Sequence, residues 1–327
     1  MNKTAFQITA TLALALAVAG CHKGGKLDKP SAFTTPTGPV QLKLKWPTGE
    51  HVIQEMDMKQ AMQMSMPSQP APIKQSMTMG QKYSLTVLQA TPDGGHEIEM
   101  EFLGTRMGME MGGRTMLAYD SGKTSADAKP NPMADVLGKM VGAKIQYYLD
   151  ASNTVTRVAG VDDLLARLSE GGQNVATAAL KSTFNEGYFK NMMSSARFMP
   201  TKPVQPGDTW PVQQEVPLAQ LGTMELNYTF TLVCWEMHGE RNCARMEFQG
   251  DITSKPGQEP GPAGMSMSIQ NGTLSGVAWF DPEIGMTIDT TINSDMQMNM
   301  TVPMRGQTMS MTNQLNQAIN IKLDSVN

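Results

Sequence analysis

The chain has 327 residues, a formal net charge of −4 and a mean hydropathy of −0.29. Its 26 Lys and Arg are mixed among 30 Asp and Glu, so the clustered basic footprint of a nucleic-acid binder is excluded. Methionine is the outlying number: 30 residues, against 9 Phe and 4 Trp.

Lys3 supplies a basic start, and residues 5–20 are mostly Ala, Leu and Val. That run is too short to span a bilayer and ends in small residues, so it reads as a secretory signal. The segment Val18-Ala19-Gly20-Cys21 resembles the lipobox of bacterial lipoproteins. The resemblance implies cleavage before Cys21 and lipidation of its thiol. His22 follows, where Asp would favour inner-membrane retention, so the resemblance points to the periplasmic face of the outer membrane. More than one chain on that terminus would anchor firmly. The expected organisation is a signal peptide over 1–20, a lipid-anchored flexible linker over 21–39 rich in Lys, Gly, Pro, Ser and Thr, and a β-rich envelope domain over 40–327.

From 40 to 158 the hydrophobic period is two. Residues 52–66, 77–88, 97–111 and 144–158 alternate, with breaks at 91–95 and at Gly112 and Gly113, the signature of antiparallel sheet. The period changes over 161–199, where one or two helices are predicted. Asp162 and Asp163 suit a helix N-terminus, and Thr183 and Glu186 have capping-box spacing ahead of a run that stops at Pro200. Strands return over 210–325. The predicted fold is mainly β (α+β): a large curved antiparallel sheet or half-barrel with one or two helices packed on its apolar face.

Turn chemistry predicts registers. A two-residue turn at Arg305 and Gly306 sets Met300 opposite Met311, Met298 opposite Asn313 and Ile292 opposite Ile319. In the first hairpin, the same logic sets Met66 opposite Met77, Met64 opposite Met79 and Met58 opposite Leu85, with Asp57, Lys59, Gln63 and Ser65 on the other face. A turn at His238 and Gly239 sets Cys234 directly opposite Cys243, and in an exported protein that placement predicts a disulfide.

The methionines recur as Met-x-Met runs: Met56 and Met58; Met62, Met64 and Met66; Met77 and Met79; Met107, Met109 and Met111; Met265 and Met267; Met296, Met298 and Met300; Met309 and Met311. Nearly all flank alternate hairpin loops, so within each half they gather at one end of one face. Three interpretations stand open. They pack the core of a purely structural or partner-binding envelope protein, since thioethers fill irregular gaps; they line an adaptable interior for a lipid or other apolar small molecule; or they bind Cu(I) or Ag(I), with Met298, Met300, Met309 and Met311 the candidate ligands. The second leads as a function, with Met56 to Met79, Met107 to Met111 and Met296 to Met311 as lining.

No hydrolase, zincin, P-loop or dinucleotide motif is present, and His51 beside Glu50 and His96 beside Glu97 point to opposite faces of their strands, so a non-enzymatic protein without a cofactor is expected. Three stretches resemble an uncharacterised bacterial envelope family, domain of unknown function 6263: 148–160 (Tyr-Leu-Asp-Ala-Ser-Asn-Thr-Val-Thr-Arg-Val-Ala-Gly), 198–210 (Phe-Met-Pro-Thr-Lys-Pro-Val-Gln-Pro-Gly-Asp-Thr-Trp) and 280–285 (Phe-Asp-Pro-Glu-Ile-Gly). That family brings no assigned activity and no functional residues. Strands wrapped on helices behind a lipobox are also similar, in architecture only, to half-barrel lipid carriers of the bacterial envelope.

Overall fold

The computed structural model of the chain describes residues 35–67, 69, 71–123, 132–170, 184–193, 195–217, 222–256, 266–304 and 307–327. The signal segment, Cys21 and the linker up to residue 34 lie outside them, as do Thr183, Met265 and the turn at Arg305 and Gly306.

Twelve strands form one antiparallel sheet. The first half supplies β1 (His51–Ser65), β2 (Ile73–Ala90), β3 (His96–Met111), β4 (Arg114–Asp120), β5 (Lys144–Leu149) and β6 (Val155–Ala159). The second supplies β7 (Thr209–Pro217), β8 (Gly222–His238), β9 (Arg241–Pro256), β10 (Ser266–Asp281), β11 (Met286–Met304) and β12 (Gln307–Val326). The order is β6-β5-β3-β2-β1-β12-β11-β10-β9-β8-β7, with β4 paired beside β5 on β3. The two halves are joined by β1 and β12, whose register runs from Val52 opposite Val326 to Ser65 opposite Thr312.

The helices among the described residues are α1 (Pro132–Gly138), α2 (Val161–Ser169) and α3 (Glu186–Met192), followed by a 3₁₀ turn at Ser195–Phe198. The first was not predicted from sequence. The acids Asp162 and Asp163 do occupy the first turn of α2. The expected capping box is displaced: Asn185 caps α3, its Oδ1 accepting from the Tyr188 N–H at 3.0 Å. Asn is among the strongest N-caps, so it starts the helix inside the span that Thr183 was expected to open.

The extended residues 40–46 were expected to begin the sheet. Apart from the Val40–Val204 bridge they stay outside it and act as a strap across one end. Lys45 N–H donates to Gly285 O, its Nζ donates to the Pro282 and Glu283 carbonyls, and the Asn153 side chain donates to Leu44 O. Adjacent strap residues therefore touch the β10–β11 turn and the β5–β6 turn. In a flat sheet, β5 and β11 are five ladder steps apart, ~24 Å. The sheet must be curled for one short segment to reach both. Leu42, Leu44 and Trp46 are buried beneath the strap, each contributing about 1.5–3 kcal/mol.

The helical segment spans the same curl. Phe189 of α3 meets Phe102 of β3 edge-on, while Phe198 packs on Tyr228 and Phe230 of β8. Glycine at an inward position of β10, Gly276, lets the Phe248 ring of β9 lie close over the backbone. A Cβ on Gly276 would sit 2.2 Å from Phe248 Cζ and 2.2 Å from Thr291 O, whereas one on Gly38 would meet nothing. Gly276→Ala is expected to lower unfolding free energy by at least ~1–3 kcal/mol in urea denaturation, with Gly38→Ala unchanged.

Candidate functional site

The β11–β12 register is the expected one: Met300 pairs with Met311, Met298 with Asn313 and Ile292 with Ile319. The β1–β2 register differs. Met64 pairs with Ile73, Gln60 with Met77 and Met58 with Met79, and Val52 rather than Met58 meets Leu85. The loop is shorter than expected because β2 begins at Ile73. The slip is even-numbered, so every residue keeps its face.

One face therefore carries Met56, Met58, Met62 and Met64 of β1, Met77 and Met79 of β2, Met107, Met109 and Met111 of β3, Met296, Met298 and Met300 of β11, and Met309 and Met311 of β12. Met66 lies just past β1 and packs on the same core. Because β1 pairs with β12 antiparallel, the two methionine groups share one end of the single sheet. The strap and the turns at 91–95, 150–154 and 281–285 close the other end. Met56, Met58, Met77, Met109, Met296, Met298, Met300 and Met311 are buried; Met62, Met64, Met66, Met79, Met107 and Met309 are partly covered, and Met111 is exposed at the rim. Rows across the strands are explicit: Met107, Met79 and Met58 stand side by side, as do Met267, Met300 and Met311.

Sequence reading missed the polar residues that share this face. Gln54, Gln60, Gln81, Thr290, Ser294, Asn313 and Gln317 are all buried on it. Gln60 stands opposite Gln317, which stands opposite Ser294. Tyr83 OH donates to Gln54 Oε1 at 3.0 Å, and Gln317 Nε2 donates to Met58 Sδ at 3.0 Å. Gln60 Oε1, Gln81 Oε1 and Asn313 Oδ1 have no hydrogen-bond partner among the described residues. A buried acceptor left so costs about 1–3 kcal/mol. The sequence did hold the signal: Gln54 and Gln60 share the parity of Met56 and Met58.

The expected disulfide is not formed; both thiols are free. The turn falls at Gly239 and Glu240, with His238 opposite Arg241, and a bulge interrupts the ladder between Leu232 and Cys234. Cys234 therefore stands opposite Arg245 and Cys243 opposite Glu236, so the two sulfurs are diagonal. They belong to an outer-face cluster in which His238 stacks on Trp279 with ring centroids 4.2 Å apart, and Arg241 pairs with buried Asp281 at 2.7 Å. Cys234 Sγ donates to Glu236 Oε2 and Cys243 Sγ to Arg241 O. Burial, then the Asp281 charge, pushes the Cys243 thiol up to about 12; burial and Glu236 raise Cys234 as well. His51 bonds Thr86 through Nδ1 at 3.0 Å and is occupied within the sheet. Among the described residues no group of three or more His, Cys, Asp and Glu could hold a metal ion, and no helix is long and apolar enough to cross a membrane.

The fold and this face define a class of protein: a curled antiparallel sheet, closed at one end, with a methionine-lined concave face. A family model matches residues 93–287, and the chain belongs to that family, the Family of unknown function (DUF6263). No curated protein matches the chain. Among solved structures, one of lipovitellin, described as lipid-protein interactions, aligns at a TM-score of 0.46 and 8% identity over 86% of this chain. The alignment spans 26% of the lipovitellin chain. An outer membrane channel from Pseudomonas putida F1 aligns at a TM-score of 0.20 and 10% identity, covering 88% of this chain and 100% of the channel. A DUF1329 family protein from Desulfovibrio piger aligns at 0.15 and 9%, covering 83% and 85%.

Thiol chemistry gives a direct check. The thiolate is the attacking form, so a raised pKa slows reaction at neutral pH. In folded protein with Cys21 replaced, Cys234 is expected to react with an aromatic disulfide reagent well before Cys243. The Cys243 rate should climb about tenfold per pH unit as pH approaches its pKa. Equal rates at pH 8, followed by mass spectrometry of the labelled peptides, would contradict this assignment.

Proposed function

We propose that this protein is a non-enzymatic envelope protein, anchored through lipid on Cys21 at the periplasmic face of the outer membrane, that takes an apolar guest into its methionine-lined interior. One observation carries the reading: the concave face is asymmetric along its length. Its strapped end is packed with Leu42, Leu44, Trp46, Phe102 and Phe189, while its other end is walled by thioethers that grade from buried to partly covered. Methionine side chains have three rotatable bonds and no branch, so such a wall re-shapes around varied apolar surfaces. The charges of β1–β3, including Arg106 with Glu55 and Asp57, lie on the opposite face and keep the outside wet.

Native mass spectrometry of protein with Cys21 replaced, recovered from the periplasm without detergent, is expected to show added mass of an apolar molecule. N-phenyl-1-naphthylamine should bind the emptied protein with a rise in fluorescence. Met62→Glu with Met79→Glu, both at partly covered positions, should weaken that binding about tenfold or more at unchanged far-ultraviolet dichroism. Bare protein and no probe uptake would end the carrier reading.

A soft-metal reading is favoured by one row of the sheet. Met267, Met300 and Met311 stand side by side on three adjacent strands, and thioether sulfur is a soft ligand suited to Cu(I) or Ag(I). This row differs from the set expected from sequence, because Met298 pairs with Asn313 and Met309 with Val302. On this reading Ag(I) binds one per chain in native mass spectra, and Met300→Leu with Met311→Leu abolishes the adduct. Retention by that variant would discard it.

A further inference from the structure

We infer that the guest is an uncharged amphipath whose buried polar groups are hydrogen-bond donors (a hydroxyl or amide N–H on an apolar body), an inference that rests on the carrier reading and specifies its ligand class. Three side-chain carbonyl oxygens on the methionine face have no partner among the described residues: Gln60 Oε1, Gln81 Oε1 and Asn313 Oδ1, on residues 4%, 2% and 2% exposed. Register places each among thioethers. Gln60 stands opposite Met77, Gln81 opposite Met56, and Asn313 between Met64 and Met298. Two neighbouring donors are already committed: the Tyr83 hydroxyl goes to Gln54 and the Gln317 amide to Met58. On the methionine face of β1, β2 and β12 the fully buried side-chain atoms left without a partner among the described residues are thus acceptors.

The sign of the guest follows from where the cations are. Lys59, Lys74, Lys82, Arg106 and Lys322, the cations of β1, β2, β3 and β12 among the described residues, all lie at outer-face register positions, and Arg114 of β4, opposite Met111, is exposed at the rim. A carboxylate or phosphate drawn inside would leave water to face thioethers and neutral polar side chains, with no inward cation on these strands to pair with it. A long-chain alcohol or primary amide would satisfy the oxygens that the packing leaves bare. Room for it comes from displaced methionine rotamers.

The experiment displaces N-phenyl-1-naphthylamine from the protein with Cys21 replaced, using three neutral or charged probes on one alkyl chain: dodecanamide, methyl dodecanoate and dodecanoate. Methyl dodecanoate is neutral, at least as apolar, and accepts hydrogen bonds without donating any. Dodecanamide is expected to compete about tenfold better than the ester, an amount corresponding to one hydrogen bond to a buried partner, and dodecanoate worst. Gln60→Met and Asn313→Leu, made singly and together, should bring amide and ester to parity while leaving the unliganded melting temperature equal or higher. Removing an unpartnered acceptor relieves a cost in the empty protein. Equal competition by amide and ester in the parent protein, or a preference that survives in all the variants, overturns the inference. A fall in melting temperature on both single substitutions also overturns it, since the oxygens would then be satisfied without a guest. Failure of the fluorescent probe to bind at all refutes instead the carrier reading beneath it.

Discussion

The curl of the sheet is the constraint from which the interior follows. Strand alternation alone would give twelve strands with an apolar side, and that side would face water if the sheet lay open. The strap draws two distant turns to adjacent residues, Asn153 at Leu44 and Gly285 at Lys45. The helical segment then bridges β3 and β8 from within, through Phe189 and Phe198. Bringing the turns together costs chain entropy, offset by burial of Leu42, Leu44 and Trp46 and by main-chain hydrogen bonds to the strap. A concave face results that is rigid where aromatic rings meet and compliant where thioethers do.

Compliance and polarity are interleaved on that face in a way that ordinary packing does not call for. A core built only for stability would match or remove its buried amides, because an unmet acceptor costs more than an apolar substitute. Here the amides sit at the same parity as the methionines, a few residues from the lip of the sheet. Polar groups that are few, fixed in direction and set in an apolar wall are what ligand interiors use to choose among guests of similar bulk.

Much of this was legible in the residues. Period-two alternation gave the strands and, through parity, the faces; the β11–β12 register followed from a single turn, and Met300 does meet Met311. Where loops are longer the turn chemistry is ambiguous. β2 consequently begins nearer the loop than the pattern suggested, yet an even slip preserves the pattern that suggested it. The strap fell within the span of period two read as strands from residue 40; its Leu42, Leu44 and Trp46 alternate in burial, because an extended segment crossing strand ends buries alternate residues just as a paired strand does. The expected cystine failed on one bulge after Leu232 and one displaced turn, features that carry no strong local signature. The buried glutamines were visible as breaks in parity, but only three-dimensional neighbours reveal that their oxygens are unmet.

The ladder between β1 and β12 also sets the order in which the molecule can be made. Val52 pairs with Val326, so β1 waits for β12, which follows every other strand of this sheet in the chain. Until then β1 presents a naked edge and a methionine-rich flank to whatever is nearby, the arrangement most prone to wrong pairing. Non-local closures of this kind are slow, since the loop entropy falls due before the contacts form. A chain threaded through a membrane from its N-terminal side would meet this interval on the far side, where its seam closes only once β12 has crossed.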